Sequence, residues 1–218
     1  MHDQISLRHF VETAAASFGA IALTCSGVSL LDLGAAERAN ALQPGKVSLP
    51  AGGKILVAYA SRCGSTAEIA AALGRDLQSR GYRPEIVPVA RVSDVSAYRA
   101  VLLGSAVRAG NWLPEATAFV RRHQGKIQSM PNAFFTVHMR NLGDDEKSRN
   151  SRLAYLNPVR ELVRPDMEVF FAGRMDWNRL SLGERLLCKV MGAKASDLRN
   201  WPAIHAWGSS VFDSGVRL

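Results

Sequence analysis

Residues 54–66 read KILVAYASRCGST, and this stretch decides the fold. Its first seven residues form an apolar run of strand length, which is typical of a central parallel strand buried on both faces. An Ala-rich segment follows this stretch, and in it Ile69, Leu73 and Leu77 recur every four residues, as in an amphipathic helix. A strand joined to a helix by a short loop is the repeating unit of a parallel α/β sheet.

The loop at residues 61–66 has the composition of a phosphate-binding turn. Hydroxyl side chains stand at Ser61, Ser65 and Thr66, and Gly64 permits close approach of the backbone. The N–H groups at the start of the following helix would attract an anion. Neither the GxxxxGK motif followed by Ser or Thr nor GxGxxG is present here, which argues against ATP or GTP hydrolysis. An ordinary serine-rich turn that caps a helix is the alternative interpretation.

Sequence signals also mark both ends of this helix. The spacing of Ser65 and Glu68 predicts a capping box at the N-terminus, in which each side chain would bind the backbone N–H of the other. Gly81 predicts the C-terminal end, because glycine readily takes the left-handed conformation that closes a helix.

Further apolar segments predict four more strands, over residues 85–89, 98–105, 133–137 and 167–173. Pro88 favours an edge position for the second strand, because proline cannot donate a ladder hydrogen bond. Helices are predicted by the segments that begin at Pro114, that contain Leu153 and Leu162, and that contain Trp207 and Phe212. Five strands that alternate with helices indicate an α/β fold with one doubly wound parallel sheet and helices on both faces.

The composition excludes some classes of protein, and the net charge favours an anionic partner. Apolar residues make up 47% and charged residues 21% of the 218 residues, values that exclude a disordered chain. The 27 basic and 19 acidic residues give a net charge of +8, which favours an anionic cofactor, a carboxylated substrate, an anionic membrane or nucleic acid as counterpart. Three cysteines without a CxxC pair exclude a disulfide scaffold and a structural zinc site, and we expect no metal.

The first 41 residues differ from the rest. Residues 13–31 contain no charged side chain, and Ala39-Asn40-Ala41 has the small-residue pattern of a cleavage site before Leu42. This order predicts an export signal, cleaved or retained. A permanent membrane anchor, or a segment packed on the domain, is the alternative. The resulting division is a signal or anchor over residues 1–41, a linker over 42–53 and one domain over 54–218.

The N-terminal segment also has a degenerate twin-arginine-like pattern. Ser6, Arg8 and Phe10 fall where such a signal has its Ser, second Arg and Phe, with Leu7 in place of the first Arg. We therefore expect an exported or membrane-associated protein. The cytoplasmic face of the membrane is the alternative location.

The loop and the strands together resemble a known family. The flavodoxin phosphate loop has Ser or Thr, any residue, Thr or Cys, Gly, any residue and Thr, and Ser61, Cys63, Gly64 and Thr66 meet every fixed position. The resemblance covers residues 54–214 and is strongest to the flavodoxin-like protoporphyrinogen IX dehydrogenases that pass electrons to menaquinone. It is supported by the segments at residues 101–110, 133–137 and 169–173.

This resemblance implies a five-stranded sheet of order 2-1-3-4-5 and FMN as cofactor. Residues 61–66 would hold its phosphate, and the loops at 105–112 and 138–143 would flank the isoalloxazine ring. The positions that the resemblance assigns to the cofactor are Ser61, Arg62, Cys63, Gly64, Ser65, Thr66, Ser105, Ala106, Val107, Arg108, Gly110, Trp112, His138, Met139, Arg140, Asn141 and Leu142.

Two of these residues carry alternatives. Trp112 would stack on the flavin or be a partly buried packing residue. His138 is an acid–base candidate because imidazole titrates near neutral pH, or it is a hydrogen-bonded neighbour of the site. The loop at 138–143 lacks the Tyr that many flavodoxins stack on the flavin, which implies a more open flavin face or one covered by something else.

The resemblance also places an insertion at residues 174–199, before the last helix. Residues 181–192 combine an apolar side with Arg185 and Lys189, a pattern that fits a helix in a membrane interface or one packed on its own domain. Trp177, Trp201 and Trp207 lie at or near this region, which suits an interfacial site or a hydrophobic ligand pocket.

Two functions follow from the resemblance. The first is an FMN-dependent enzyme that oxidises a porphyrinogen-type substrate and passes electrons to a quinone, with Arg108, Arg140 and Arg174 as candidates to pair with substrate carboxylates. The second is a flavodoxin-type electron-transfer protein, exported or membrane-tethered, that serves another redox partner. No recognition motif supports nucleic acid as a partner.

Overall fold

A computed structural model describes residue 49, residues 52–176 and residues 196–213. The predicted signal or anchor at 1–41 lies outside the described residues, as does most of the linker at 42–53. The same holds for Trp177 and for the predicted amphipathic helix at 181–192. Among the residues that are described, no helix is long and apolar enough to cross a membrane.

Five parallel strands form the main sheet, and a short sixth strand pairs with one of them. The strands are β1 (Lys54–Ala60), β2 (Arg83–Pro88), β3 (Ala100–Arg108), β4 (Asn111–Trp112), β5 (Asn132–His138) and β6 (Met167–Ala172). Their order is β2-β1-β3-β5-β6, with β4 antiparallel to β3, so the five long strands have the predicted order 2-1-3-4-5. β2 lies at an edge, as Pro88 predicts.

The helices connect these strands on both faces. They are α1 (Ser65–Ser79), α2 (Pro114–Gln128), α3 (Glu146–Ala154), α4 (Asn157–Arg160) and α5 (Trp201–Ser210), with a 3-10 turn at Val89–Arg91. A second, two-stranded antiparallel sheet joins β7 (Arg174–Met175) to β8 (Ser196–Asp197) at the base of the insertion.

Two helical predictions need correction. The single polar helix expected through Leu153 and Leu162 is two helices, α3 and α4, because Pro158 lacks the backbone N–H that a continuous helix needs and stands instead in the first turn of α4. The last helix ends at Ser210 rather than continuing through Phe212, which has a positive φ of 61° and is fully buried.

The apolar run of β1 is buried on both faces of the sheet. Ile55 and Val57 belong to the cluster that includes α1 and α5, whereas Leu56 and Ala58 belong to the cluster that includes α2 and α4. The strand therefore separates two cores, which explains why its sequence shows no alternation of apolar and polar residues.

The third strand is longer than predicted and turns back on itself. It continues past Ser105 to Arg108, and Val107 then pairs with Trp112 across a tight turn. Ala109 and Gly110 both have positive φ, 50° and 80°, as the central residues of a type I′ hairpin must. The expected loop at 105–112 is thus a β-hairpin.

Gly104 leaves room for the ring of Phe135, which lies opposite it on β5, and replacing it tests the core. A Cβ at this position would lie 1.9 Å from Cζ of the buried Phe135 ring. We expect Gly104→Ala to lower the free energy of unfolding by about 2 kcal/mol, measured by urea denaturation, because an overpacked core must shift. Gly125→Ala on α2 is the control: its Cβ would meet nothing within 4 Å, and unchanged or higher stability is expected. Equal effects of the two substitutions would contradict this view of the core.

Candidate functional site

The candidate site lies at the carboxyl ends of β1, β3 and β5. In the order β2-β1-β3, the chain leaves β1 towards one edge of the sheet and β3 towards the other, so a crevice opens between these two strand ends. Ligands of open α/β sheets bind at such a switch point. The three segments predicted from the sequence, after β1, β3 and β5, therefore meet at one edge of the sheet.

The first segment is the tight turn between β1 and α1. Ser61 Oγ accepts a hydrogen bond of 3.1 Å from the Gly64 N–H, and Gly64 has a φ of 85°. Gly64 is the N-cap of α1, with no side chain bonded to the helix end. The predicted capping box is therefore wrong: Ser65 is already inside the helix, and the Glu68 carboxylate binds arginines instead.

The start of α1 buries polar groups that the protein leaves unsatisfied. Thr66 is fully buried and its Oγ1 has no hydrogen-bond partner, while Ser65 beside it is also buried. The first N–H groups of any α-helix have no partner within the helix. An unbonded hydroxyl and unpaired N–H groups at one helix end fit a bound phosphate.

The other residues of this loop contribute backbone rather than charge. The Arg62 guanidinium is half exposed and pairs with Glu115 at 3.2 Å, which ties the loop to the first turn of α2. Cys63 is half-buried. As expected for a flavodoxin-like loop, a phosphate here would be held without a lysine or a dedicated arginine.

The second segment is the β3–β4 hairpin, and its two ends face the core. Ser105 is fully buried; its hydroxyl donates to the Ala106 carbonyl and accepts from the Leu113 N–H at 3.0 Å. Trp112 is only 3% exposed, and its Nε1 donates to Thr136 Oγ1 at 2.9 Å. Trp112 is thus a packing residue, the second of the two roles predicted for it, and its indole lies inside the domain rather than on a flavin.

The remaining predicted positions of this hairpin stay near the site. Ala106 and Val107 are half-buried, whereas Arg108 and Gly110 are exposed at the turn. The exposed part of the hairpin is therefore its turn, and exposure decreases towards β3.

His138 ends β5 as a buried, hydrogen-bonded residue, which is the second of the two roles predicted for it. It is 4% exposed, and its Nδ1 donates to the Arg140 carbonyl at 2.7 Å. Burial lowers the pKa of His138 to about 4, with a further lowering by Arg152, so the imidazole is neutral at physiological pH. Its role is to shape the backbone after β5.

The third segment is held from behind by α3. The Arg152 guanidinium, 3% exposed, donates to the carbonyls of Asn141 and Gly143 at 2.5 and 2.6 Å. Asn141 has a φ of 57°, and its amide donates to the Tyr155 hydroxyl at 2.6 Å. These supports were missed because the sequence shows Arg152 and Tyr155 only as members of a polar helix.

The anchored loop directs other side chains outward. Met139 is half-buried, whereas Arg140 and Leu142 are exposed, Leu142 at 45%. Of the arginines predicted to pair with a substrate, Arg174 is engaged instead by Glu68 at 2.8 Å and by Asp176 at 3.6 Å. Arg174 thus pairs with carboxylates of its own chain, whereas Arg140 is exposed, and the pairing of either with a substrate stays a prediction.

Gly173, also missed in the sequence, closes the far side of the site. Its N–H donates to the His138 carbonyl at 2.9 Å, and a Cβ there would lie 3.2 Å from Ser65 Oγ and 2.8 Å from a Val137 methyl. The end of β6 thus packs directly on the start of α1. Within the described residues, no group of three or more His, Cys, Asp or Glu side chains is placed to hold a metal.

Comparison with known proteins identifies the family. Residues 56–198 match the family model described as Flavodoxin domain. The chain belongs to the flavodoxin family. The predicted cofactor, FMN, agrees with this family, and the flavodoxin-like sheet confirms the predicted fold.

The curated relatives of this flavodoxin domain carry one name. The chain is 26% identical over 141 residues to a protoporphyrinogen IX dehydrogenase [quinone] of Escherichia coli strain K12, covering 63% of this chain and 78% of the relative. It is 24% identical over 171 residues to the protein of that name from Leishmania major, covering 72% and 73%.

Solved flavodoxins are more distant. A point mutant of flavodoxin from Pseudomonas aeruginosa has a TM-score of 0.44 at 14% identity, covering 72% of this chain and 98% of that chain. A flavodoxin from the domain Archaea has a TM-score of 0.41 at 17% identity, covering 64% and 93%.

The neutral state of His138 predicts how stability depends on pH. Its pKa falls from 6.5 in the unfolded chain to about 4 in the folded one, so the unfolded state binds more protons between these values and stability falls as the pH is lowered. This site alone should remove about 3 kcal/mol of the free energy of unfolding between pH 7 and pH 4. Urea denaturation across that range measures it.

His138→Asn is the matched variant, because it keeps a side-chain donor near the Arg140 carbonyl and cannot gain a charge. Its stability should depend clearly less on pH than that of the wild type between pH 6.5 and 4. Parallel curves for the two proteins would show that His138 does not titrate as inferred.

Proposed function

We propose that this flavodoxin domain binds FMN with the phosphate at residues 61–66 and acts as an oxidoreductase. The observation that carries the proposal is the buried, unbonded hydroxyl of Thr66 at the start of α1. A buried hydroxyl without a partner costs about 1–3 kcal/mol. Other buried atoms of the described residues, such as Asn132 Oδ1 and Trp207 Nε1, also lack a partner, but Thr66 alone among them stands in the first turn of a helix at the carboxyl end of β1. A phosphate oxygen at the helix N-terminus satisfies this hydroxyl.

The surrounding segments orient the flavin. FMN supplies the transfer of electrons from a reduced substrate to an acceptor when it is bound. The β3–β4 hairpin and the loop after β5 flank its ring. Trp112, bonded to Thr136 beneath them, closes the interior to water. The neutral His138 fixes the backbone at Arg140 and holds its own proton on Nδ1.

For the substrate we propose a porphyrinogen and for the acceptor a quinone. The support is the name shared by the relatives from Escherichia coli and Leishmania major, of which the chain covers 78% and 73%. A porphyrinogen carries carboxylates, and the exposed Arg140 lies at the rim of the flavin site on a loop that Arg152 holds rigid. The net charge of +8 favours the approach of such an anion.

The alternative is an electron-transfer flavodoxin that docks on another protein. The exposed Leu142 favours it, because an apolar side chain at the rim of the flavin site suits a protein partner. An assay separates the two functions. Purified protein loaded with FMN should oxidise a porphyrinogen with a quinone as sole acceptor if it is the enzyme, and should not if it is the electron carrier.

For location we propose export or membrane association, with the cytoplasmic face of the membrane as the alternative.

Thr66→Val tests the phosphate site. Valine has the shape of threonine without the hydroxyl, so the apo protein should gain about 1 kcal/mol in free energy of unfolding when the unbonded group is removed. FMN should bind about tenfold more weakly, measured by quenching of flavin fluorescence, because a hydrogen bond to a charged group is lost. Thr117→Val on the adjacent α2 is a control expected to bind FMN like the wild type. Unchanged FMN affinity of Thr66→Val would place the phosphate elsewhere.

Arg140→Ala tests the proposed substrate. We expect KM for protoporphyrinogen to rise about fivefold, the size of one exposed ion pair, with unchanged FMN affinity. Arg149→Ala removes the same charge from an exposed position on α3 and controls for net charge. If both variants keep the wild-type KM, Arg140 is not a substrate-binding residue.

A further inference from the structure

Two arginines from the base of the insertion converge on one carboxylate of the phosphate-site helix. Glu68 is the fourth residue of α1. Its two oxygens accept from Arg174 of β7 at 2.8 Å and from Arg199, just beyond β8, at 2.5 Å. The Glu68 side chain thus binds both ends of the insertion at residues 174–199.

Arg199 is the more rigid of the two partners. Its side chain is only 5% exposed; it also binds both oxygens of Asp197 at 2.8 and 2.6 Å, and it lies 4.7 Å from the centre of the Trp201 ring. A planar guanidinium that is paired at its edges and stacked on its face has little freedom to move. Arg199 therefore fixes the Glu68 carboxylate to the β7–β8 pair.

The backbone makes the same connection. The Gly173 carbonyl accepts from the Leu198 N–H at 3.1 Å, which continues the β7–β8 pairing up to the residue that packs on Ser65. The start of α1, the end of β6 and the β7–β8 pair thus form one packed unit.

We propose that Glu68 is a positioning residue that links the phosphate-binding start of α1 to the β7–β8 pair, so that cofactor binding and the pairing of these strands stabilise each other. The proposal rests on the proposed binding of FMN at residues 61–66. Linkage requires the effect to be reciprocal: whatever the strand pair adds to FMN affinity, FMN adds to the stability of the strand pair.

Charge alone predicts the opposite sign for a substitution at this position. A carboxylate in the first turns of α1 repels an incoming phosphate, so Glu68→Gln would tighten FMN binding if repulsion were all that it changed. A positioning role predicts weaker binding, because the uncharged amide cannot hold two guanidinium groups. The sign of the change in affinity therefore separates the two roles.

The experiment uses the full chain with and without FMN. Hydrogen exchange is followed by mass spectrometry in peptides that contain residues 173–176 and 196–199, and FMN affinity is measured by fluorescence quenching. In the wild type, FMN should slow exchange of these peptides at least about fivefold. In Glu68→Gln the apo peptides should exchange faster, FMN should protect them less, and FMN should bind about fivefold or more weakly.

Asp76→Asn is the matched control. Asp76 is a carboxylate of the same helix, but it pairs with His205 of α5 at 2.9 Å, away from the β7–β8 pair. It should leave both the exchange of these peptides and the FMN affinity unchanged. Arg174→Gln approaches the link from its other side, and its effect on FMN affinity should not add to that of Glu68→Gln in the double variant.

Three results would overturn the proposal: equal or tighter FMN binding by Glu68→Gln, unchanged exchange of the two peptides, or an equal effect of Asp76→Asn. Failure of the proposed function looks different. If the wild type binds no FMN, that function falls, while the comparison of apo wild type with apo Glu68→Gln still decides whether Glu68 holds the strand pair.

Discussion

The structure depends on one constraint, namely that α1 begins inside the protein with polar groups that its own chain does not satisfy. Gly64 turns the backbone with a φ of 85°, which aims the first turn of the helix at the crevice and buries the Thr66 hydroxyl without a partner. Buried polar groups are almost always bonded, so this arrangement is stable only with an anion in place or at a cost in stability. In the function proposed above, the phosphate of FMN meets that requirement.

The neighbouring segments are held in place by separate contacts, and together they define the shape of the site. The hairpin after β3 is held by its I′ turn and by the bond from Trp112 to Thr136. The loop after β5 is held by the buried Arg152, which binds two of its carbonyls. Each support lies behind the crevice and fixes backbone that borders it. A site built on such supports needs little rearrangement when the cofactor binds.

The sequence predicts the sheet well because the signals for it are local. The apolar run before Ser61 and the glycine in the following turn determine a strand, a turn and a helix, and the order of the later strands follows from the resemblance. The positions that depend on contacts distant in the sequence could not be predicted. Trp112 is an aromatic residue near a predicted site, but its indole N–H donates to Thr136, which is distant in the sequence. Arg174 follows a strand, as ligand-binding residues often do, but it forms an ion pair with Glu68.

Titration of the purified full chain with FMN and with riboflavin, followed by flavin absorption, tests the central claim most directly. The two ligands share the isoalloxazine ring and differ in the phosphate. If the unsatisfied groups at the start of α1 hold the phosphate, FMN should bind at least about a hundredfold more tightly than riboflavin, because several charge-assisted hydrogen bonds depend on it. Equal affinities, or no binding of either flavin, would contradict a phosphate site at residues 61–66.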